Sequence, residues 1–218
     1  MSTNQNRLTL TIDVFEKAKQ KALALPSLTP PELVEAILGE FARDLEYMSE
    51  SADDYQLVRA ADSAPLQDEL ALGAQQVRDG ESLALVERGG LQPPGTSVPS
   101  RSRHIYLRDT AGGKLYKLPW LPAIIGRPDD KKTQNLLLAV DLSVYATGLR
   151  VSRRHAQIVE EGGQYVVESL ARNNPTIVLR DGQGPVTLDG QRYQLRHGDT
   201  IRLQHSELSF KFIIREGR

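Results

Sequence analysis

The chain has 218 residues, enough for one large domain or two small ones, with 39% apolar and 25% charged residues. That is ordinary globular composition. It holds no apolar run long enough to span a membrane, and its zero cysteines exclude disulfides and thiolate metal sites. The N-terminus lacks a basic segment backed by an apolar core, so no signal peptide is expected and the cytoplasm is the default location.

The net charge of -1 hides an asymmetry. Residues 1–87 carry 7 Lys+Arg against 16 Asp+Glu, and residues 88–218 carry 20 against 12. A break near residue 88 points to two units with different surfaces. The basic unit either meets an anionic partner or balances the acidic one; composition does not choose.

Leu8, Leu10 and Ile12 alternate with polar residues, the period of a half-buried strand. The segment from Val14 to Leu25 reads either as a second strand or as a helix. Thr29-Pro30-Pro31-Glu32 is a helix start, with Thr29 as N-cap and Glu32 three residues on. Leu33, Ile37, Phe41 and Leu45 continue it as the apolar stripe of a helix of about four turns. Tyr55–Arg59 is a strand, Leu66 to Leu72 an irregular or helical turn, and Ser82–Val86 a closing strand after the Asp79-Gly80 turn. Residues 88–103 are rich in Gly, Pro and Ser and read as a linker.

The remainder, 104–218, is a series of short strands. His104–Arg108 and Lys114–Leu118 flank a hairpin turn. Further strands are expected at Ala123–Ile125, Ala156–Val159, Gln164–Glu168, Ile177–Leu179, Gln191–Leu195, Thr200–Leu203 and Leu208–Ile214. Many short strands at close spacing imply a β-sandwich, whose binding loops cluster at one end of the sheets.

Three of those loops carry a joint pattern: Gly126-Arg127, then Val151-Ser152-Arg153-Arg154-His155-Ala156, then Asn173-Asn174-Pro175-Thr176. Arg127 offers charge and a fork of N–H groups, Ser152 a hydroxyl, Arg153 a second cation, and Asn174 a carboxamide that both donates and accepts. Together these suit a phosphate and the peptide that bears it, and neither nucleophile nor metal is required. Read singly, Ser152 is a turn cap, Asn174 is turn chemistry, and His155 is a buried brace. A Ser152–His155 hydrolase lacks a Gly-x-Ser-x-Gly elbow and a third partner. Nucleic-acid binding lacks an aromatic platform among the basic residues.

Two resemblances follow from these residues. Tyr55-Gln56-Leu57, Leu66-Gln67-Asp68 and Val77-Arg78-Asp79-Gly80-Glu81-Ser82-Leu83 resemble the ubiquitin-like β-grasp family, in particular small bacterial members associated with type VII-like secretion. Gly126-Arg127, Ser152–Ala156, Asn174-Pro175-Thr176 and Leu195-Arg196-His197-Gly198-Asp199-Thr200-Ile201 resemble, in order, the forkhead-associated (FHA) domain family. They imply an α+β β-grasp domain at 1–87, a linker at 88–103 and an all-β FHA sandwich of eleven strands at 104–218. The second resemblance implies that Arg127 and Ser152 contact phosphate with Arg153 in support, and that Asn174 contacts the peptide main chain with Asn173 adjacent. Gly126, His155 and Thr176 would be structural.

The implied function is a non-enzymatic adaptor without cofactor or metal. One unit would bind a phosphothreonine protein, and the other a protein partner in a secretion complex or kinase pathway, without nucleic acid or membrane insertion. The alternative is a phosphate-independent assembly subunit. Two departures from the FHA pattern bear on that choice. Pro175 replaces a glycine, removing a donor. The 24 residues from Pro128 to Val151 form a long interval, expected to add a loop over the site.

Overall fold

The computed structural model describes residues 7–89, 92–99, 103–129 and 135–216. Gly90, Leu91, Ser100, Arg101 and Ser102 of the expected linker, and residues 130–134 of the long interval, lie outside them. The chain divides into two compact units, Met1–Gly89 and Gly90–Arg218. No helix among the described residues is long and apolar enough to cross a membrane.

The described residues of the first unit form β1 (Leu8–Val14), β2 (Lys17–Ala24), the α-helix α1 (Pro30–Phe41), β3 (Tyr55–Arg59) and β4 (Ser82–Glu87). The sheet order is β2-β1-β4-β3, with β1 and β4 parallel at the centre and both outer pairs antiparallel. A helix crossing from β2 to β3 over such a sheet is the ubiquitin-like β-grasp arrangement. The alternation in β1 sends Leu10, Ile12 and Val14 inward, where they are buried with Leu57, Leu83, Leu85 and the helix residues Leu33, Ile37 and Phe41.

The ambiguous segment after Val14 is a strand. Its helical spacing loses to backbone pairing with β1, which supplies a ready ladder edge. Its lysines sit on the sheet's outer edge, where charge discourages further pairing. The helix starts as expected: the Glu32 carboxylate accepts from the Thr29 N–H (2.8 Å) and hydroxyl (2.9 Å). It is one turn shorter than the stripe suggested. The Asp44 and Leu45 N–H groups both fold back onto the Phe41 carbonyl, and Leu45 reaches the core from a turn.

The described residues of the second unit form eleven strands: β5 (Arg103–Asp109), β6 (Leu115–Lys117), β7 (Ala123–Gly126), β8 (Leu138–Asp141), β9 (Ala156–Glu161), β10 (Gln164–Ser169), β11 (Thr176–Leu179), β12 (Val186–Leu188), β13 (Arg192–Gln194), β14 (Thr200–Leu203) and β15 (Leu208–Glu216). They form a five-stranded sheet, β13-β10-β9-β7-β8, and a six-stranded sheet, β12-β11-β14-β15-β5-β6. Between them lies one apolar core that includes Ile105, Leu107, Ile125, Ile158, Val167, Val178, Ile201, Phe210 and Phe212.

Two strands had no distinct sequence signal. β12 is three residues long, and β8 lies inside the interval expected to be an added loop. β8 pairs in parallel with β7, so part of that interval belongs to the sheet. The turn after it is tied down as well. The Leu142 N–H donates to the Gly126 carbonyl (2.8 Å), and the Tyr145 ring packs edge-on against Phe210, its hydroxyl 3.2 Å from that of Tyr116. The expected linker also gains structure where it is described: Ser97 and Leu121 exchange backbone hydrogen bonds of 2.8 and 2.7 Å.

Candidate functional site

Strand register brings the three loops to one end of the sandwich. Ile125 stands opposite Ala156, and Ala156 opposite Ser169, so the chain leaves β7, enters β9 and leaves β10 at the same level. Thr176, at the start of β11 in the other sheet, joins this level through its hydroxyl, 3.2 Å from that of Ser169. Gly126-Arg127, Val151–His155 and Leu170–Pro175 therefore surround one surface.

His155 ties them together. It is fully buried, and its N–H donates to the Ile125 carbonyl (2.9 Å). Its own carbonyl accepts from Leu170 (2.8 Å) and Ala171 (3.2 Å). The Ser152 N–H points at ring Nδ1 from 3.5 Å, a long contact that selects the tautomer protonated on Nε2. Burial pushes the ring pKa down to about 4, with the Pro175 backbone pulling the other way and His205 adding to the depression. The folded chain thus keeps the ring neutral, whereas the unfolded chain protonates it below about pH 6.5.

Stability should consequently be level above about pH 6.5 and fall as pH drops towards 4, by on the order of 3 kcal/mol in total. Urea unfolding at neutral and mildly acid pH, followed through the single tryptophan, Trp120, checks this. His155→Gln should lose much of the acid sensitivity, and an unchanged pH slope in that variant would assign the effect to other groups.

Gly126 is required by space. A Cβ there would overlap the Arg153 carbonyl oxygen and stand 2.9 Å from that of Ser152. Gly126→Ala should push the Ser152–Arg153 segment outward and cost about 1–3 kcal/mol, as overpacking generally does. A thermal melt together with a ligand titration reads both consequences.

Arg127 is half-buried, and its Nε donates to the Val151 carbonyl (2.9 Å). One edge of the guanidinium holds the serine loop, and its Nη groups have no partner among the described residues. Arg153 is half-exposed, and its Nη1 lies 3.5 Å from an Asp129 carboxylate oxygen. Asn174 is 9% exposed. Its amide donates to the Arg150 carbonyl (2.7 Å), and its Oδ1 is buried with no partner among the described residues. Such an acceptor is costly to leave unmet. Asn173 is exposed beside it. Pro175 lacks an N–H, but its carbonyl accepts from Gln204 (3.3 Å), which fixes that loop against the end of β14.

The expected site residues thus stand around one surface: Arg127, Ser152, Arg153 and Asn173 at the rim, with Gly126, His155, Asn174 and Thr176 beneath. The motif did not reveal Asp129 or Arg150, each of which partners a site residue. Neither has a motif position, since Asp129 acts through distance to Arg153 and Arg150 through its backbone. No group of His, Asp or Glu side chains among the described residues is placed to hold a metal.

Residues 123–204 match the family model described as FHA domain. Among solved structures, the FHA domain of human APLF in complex with an XRCC1 bisphospho peptide is 24% identical, with a TM-score of 0.38, covering 50% of this chain and 97% of that one. Mycobacterium tuberculosis EmbR in complex with a low affinity phosphopeptide is 30% identical, with a TM-score of 0.37, covering 53% of this chain and 25% of that one. Caldiarchaeum subterraneum ubiquitin is 16% identical, with a TM-score of 0.31, covering 39% and 98%. Comparison with the curated proteins gives no match.

Proposed function

We propose, from the FHA domain that the chain carries at residues 123–204, that this protein is a non-enzymatic adaptor whose sandwich binds a phosphothreonine peptide. FHA domains are phosphothreonine-peptide recognition modules. The observation that carries the reading is the convergence of Arg127, Ser152 and Asn174 on one surface, fixed from below by His155. In this reading the Arg127 Nη groups and the Ser152 hydroxyl take the phosphate, with Arg153 adding charge from beside it. Asn174 meets the peptide main chain, with Asn173 alongside. A phosphate carries about -1.5 to -2 charge at neutral pH, which one or two guanidinium groups and a hydroxyl can meet.

A binding role rather than a catalytic one is supported by His155. Its ring lies wholly inside and faces the Ser152 backbone N–H, so it is poorly placed to activate a substrate-facing hydroxyl. The β-grasp unit would dock a second protein, with a kinase pathway or secretion complex on the cytoplasmic side as the context that the resemblances imply.

The test is a titration of the full chain with matched peptides bearing threonine, phosphothreonine or phosphoserine. Selective binding of the phosphothreonine peptide is expected. A second reading, a phosphate-independent assembly subunit, draws on Pro175, which has no N–H to offer, and on the Asn174 amide, which is already spent on Arg150. Equal affinity for the phosphorylated and plain peptides would favour it.

A further inference from the structure

The rim of the site carries more positive charge than one phosphate calls for. Beyond Arg127 and Arg153, Arg150, Arg154 and Arg172 are all exposed. Their backbones are anchored to the site. The Arg150 carbonyl receives the Asn174 amide (2.7 Å), Arg154 precedes the buried His155, and Arg172 follows Ala171, whose N–H donates to the His155 carbonyl (3.2 Å). Described carboxylates also belong to the same end: Asp129, Asp141, Asp189, which follows Leu188 opposite Thr176, and Glu207, in the turn after Leu203 opposite Thr176. Asp129 faces Arg153 at 3.5 Å, and Asp141, opposite Gly126 in register, caps the Ser143 N–H at 2.8 Å. No ion pair joins Arg150, Arg154 or Arg172 to any of these, or to any other described carboxylate.

Like charges gathered on a rim repel one another in the free protein, and an anionic ligand relieves that repulsion. Resting on the phosphothreonine reading above, we infer that Arg150, Arg154 and Arg172 form a second anionic subsite. The preferred ligand is then a phosphothreonine peptide with a further negative group close by, either a carboxylate run or a second phosphate. Arginine suits both, since its fork matches carboxylate and phosphate oxygens alike.

The test uses the full chain and four peptides of one core: phosphothreonine with neutral flanks, with Asp/Glu flanks, with a neighbouring phosphoserine, and the acidic-flank peptide unphosphorylated. The two doubly anionic peptides should bind roughly tenfold more tightly than the neutral-flank one at low salt, and the gain should shrink as salt rises. The variant Arg150→Ser/Arg154→Ser/Arg172→Ser should lose the gain yet keep neutral-flank phosphothreonine binding. The matching Arg→Lys variant should keep part of it. The separate phosphopeptide arms tell carboxylate from second phosphate as the preferred source.

Equal affinity for neutral and acidic flanks, or a gain that survives in the triple Ser variant, overturns the subsite alone. Failure of every phosphothreonine peptide to bind, or equal binding of the unphosphorylated acidic peptide, overturns the underlying phosphothreonine reading and the subsite with it.

Discussion

Arg127→Ala should abolish useful binding of a phosphothreonine peptide while leaving the sandwich folded. The guanidinium has two tasks. Its Nε holds the Val151 carbonyl at 2.9 Å, and in the proposed reading its Nη groups take the phosphate. Hydrogen bonds to charged groups contribute about 1.5–3 kcal/mol each, so losing one or two predicts at least a roughly tenfold to hundredfold weaker Kd. The side chain is half-buried and lies outside the core cluster, so the cost to stability should be far smaller than the cost to binding. Calorimetric titration beside a thermal melt separates the two. Arg127→Lys should recover only part of the affinity, because an ammonium cannot span Val151 and phosphate as a fork does. An unchanged Kd in Arg127→Ala would remove the phosphate from this surface.

Asp199→Ala should be the most destabilising simple substitution, and it should act at the far end of the sandwich. Thr176 pairs with Leu203 near the site, while Leu179 pairs with Thr200 at the other end, next to Asp199. The carboxylate is 2% exposed. One oxygen accepts from Arg180 Nε (2.8 Å), and the other from Arg180 Nη2 and the Arg196 N–H (both 2.7 Å). The same guanidinium donates to the Gln194 carbonyl and stacks over the Tyr193 ring at 5.0 Å.

Removing the carboxylate leaves a poorly solvated cation and a turn N–H without their acceptor, a change that costs about 3–5 kcal/mol in comparable buried pairs. Urea unfolding through Trp120, which lies in the same unit, gives the value. Asp199→Asn should fall between, since it keeps an acceptor but not the charge. Peptide affinity measured on the folded fraction should stay unchanged, because the site is supported by His155 rather than by this turn. A loss below about 1 kcal/mol would show that the pair adds little beyond its desolvation cost.

What could be read from the sequence depended on local chemistry. The alternation of Leu8, Leu10 and Ile12, the Thr29–Glu32 cap and the Asp109–Gly113 hairpin turn each specify their element within a few residues, because strand period, capping and turn chemistry act over that range. The residue types of the site were legible for a similar reason. Arg127, Ser152, Arg153 and Asn174 stand in short motifs whose order persists along the chain.

Other features depended on distant partners. Val14–Leu25 has the residues of a helix or a strand, and only the free edge of β1 decides it. β8 has no period of its own and exists because β7 offers it a parallel ladder. The stripe to Leu45 is continuous, yet the helix ends at Phe41, since burial of Leu45 requires only that the chain return to the core.

By itself, then, the sequence determined two differently charged units, their main strands, and the cations and amides that a phosphopeptide would need. Tertiary structure alone decided that three loops lie level with one another and that His155 joins them from inside. It also decided that a Cβ on Gly126 would collide with Arg153, that Asn174 spends its amide on Arg150, and that three further arginines share the rim. The physical reason is that composition and local propensity set what each segment can form. Strand register, which sets Ile125 opposite Ala156 and Ala156 opposite Ser169, decides which side chains meet.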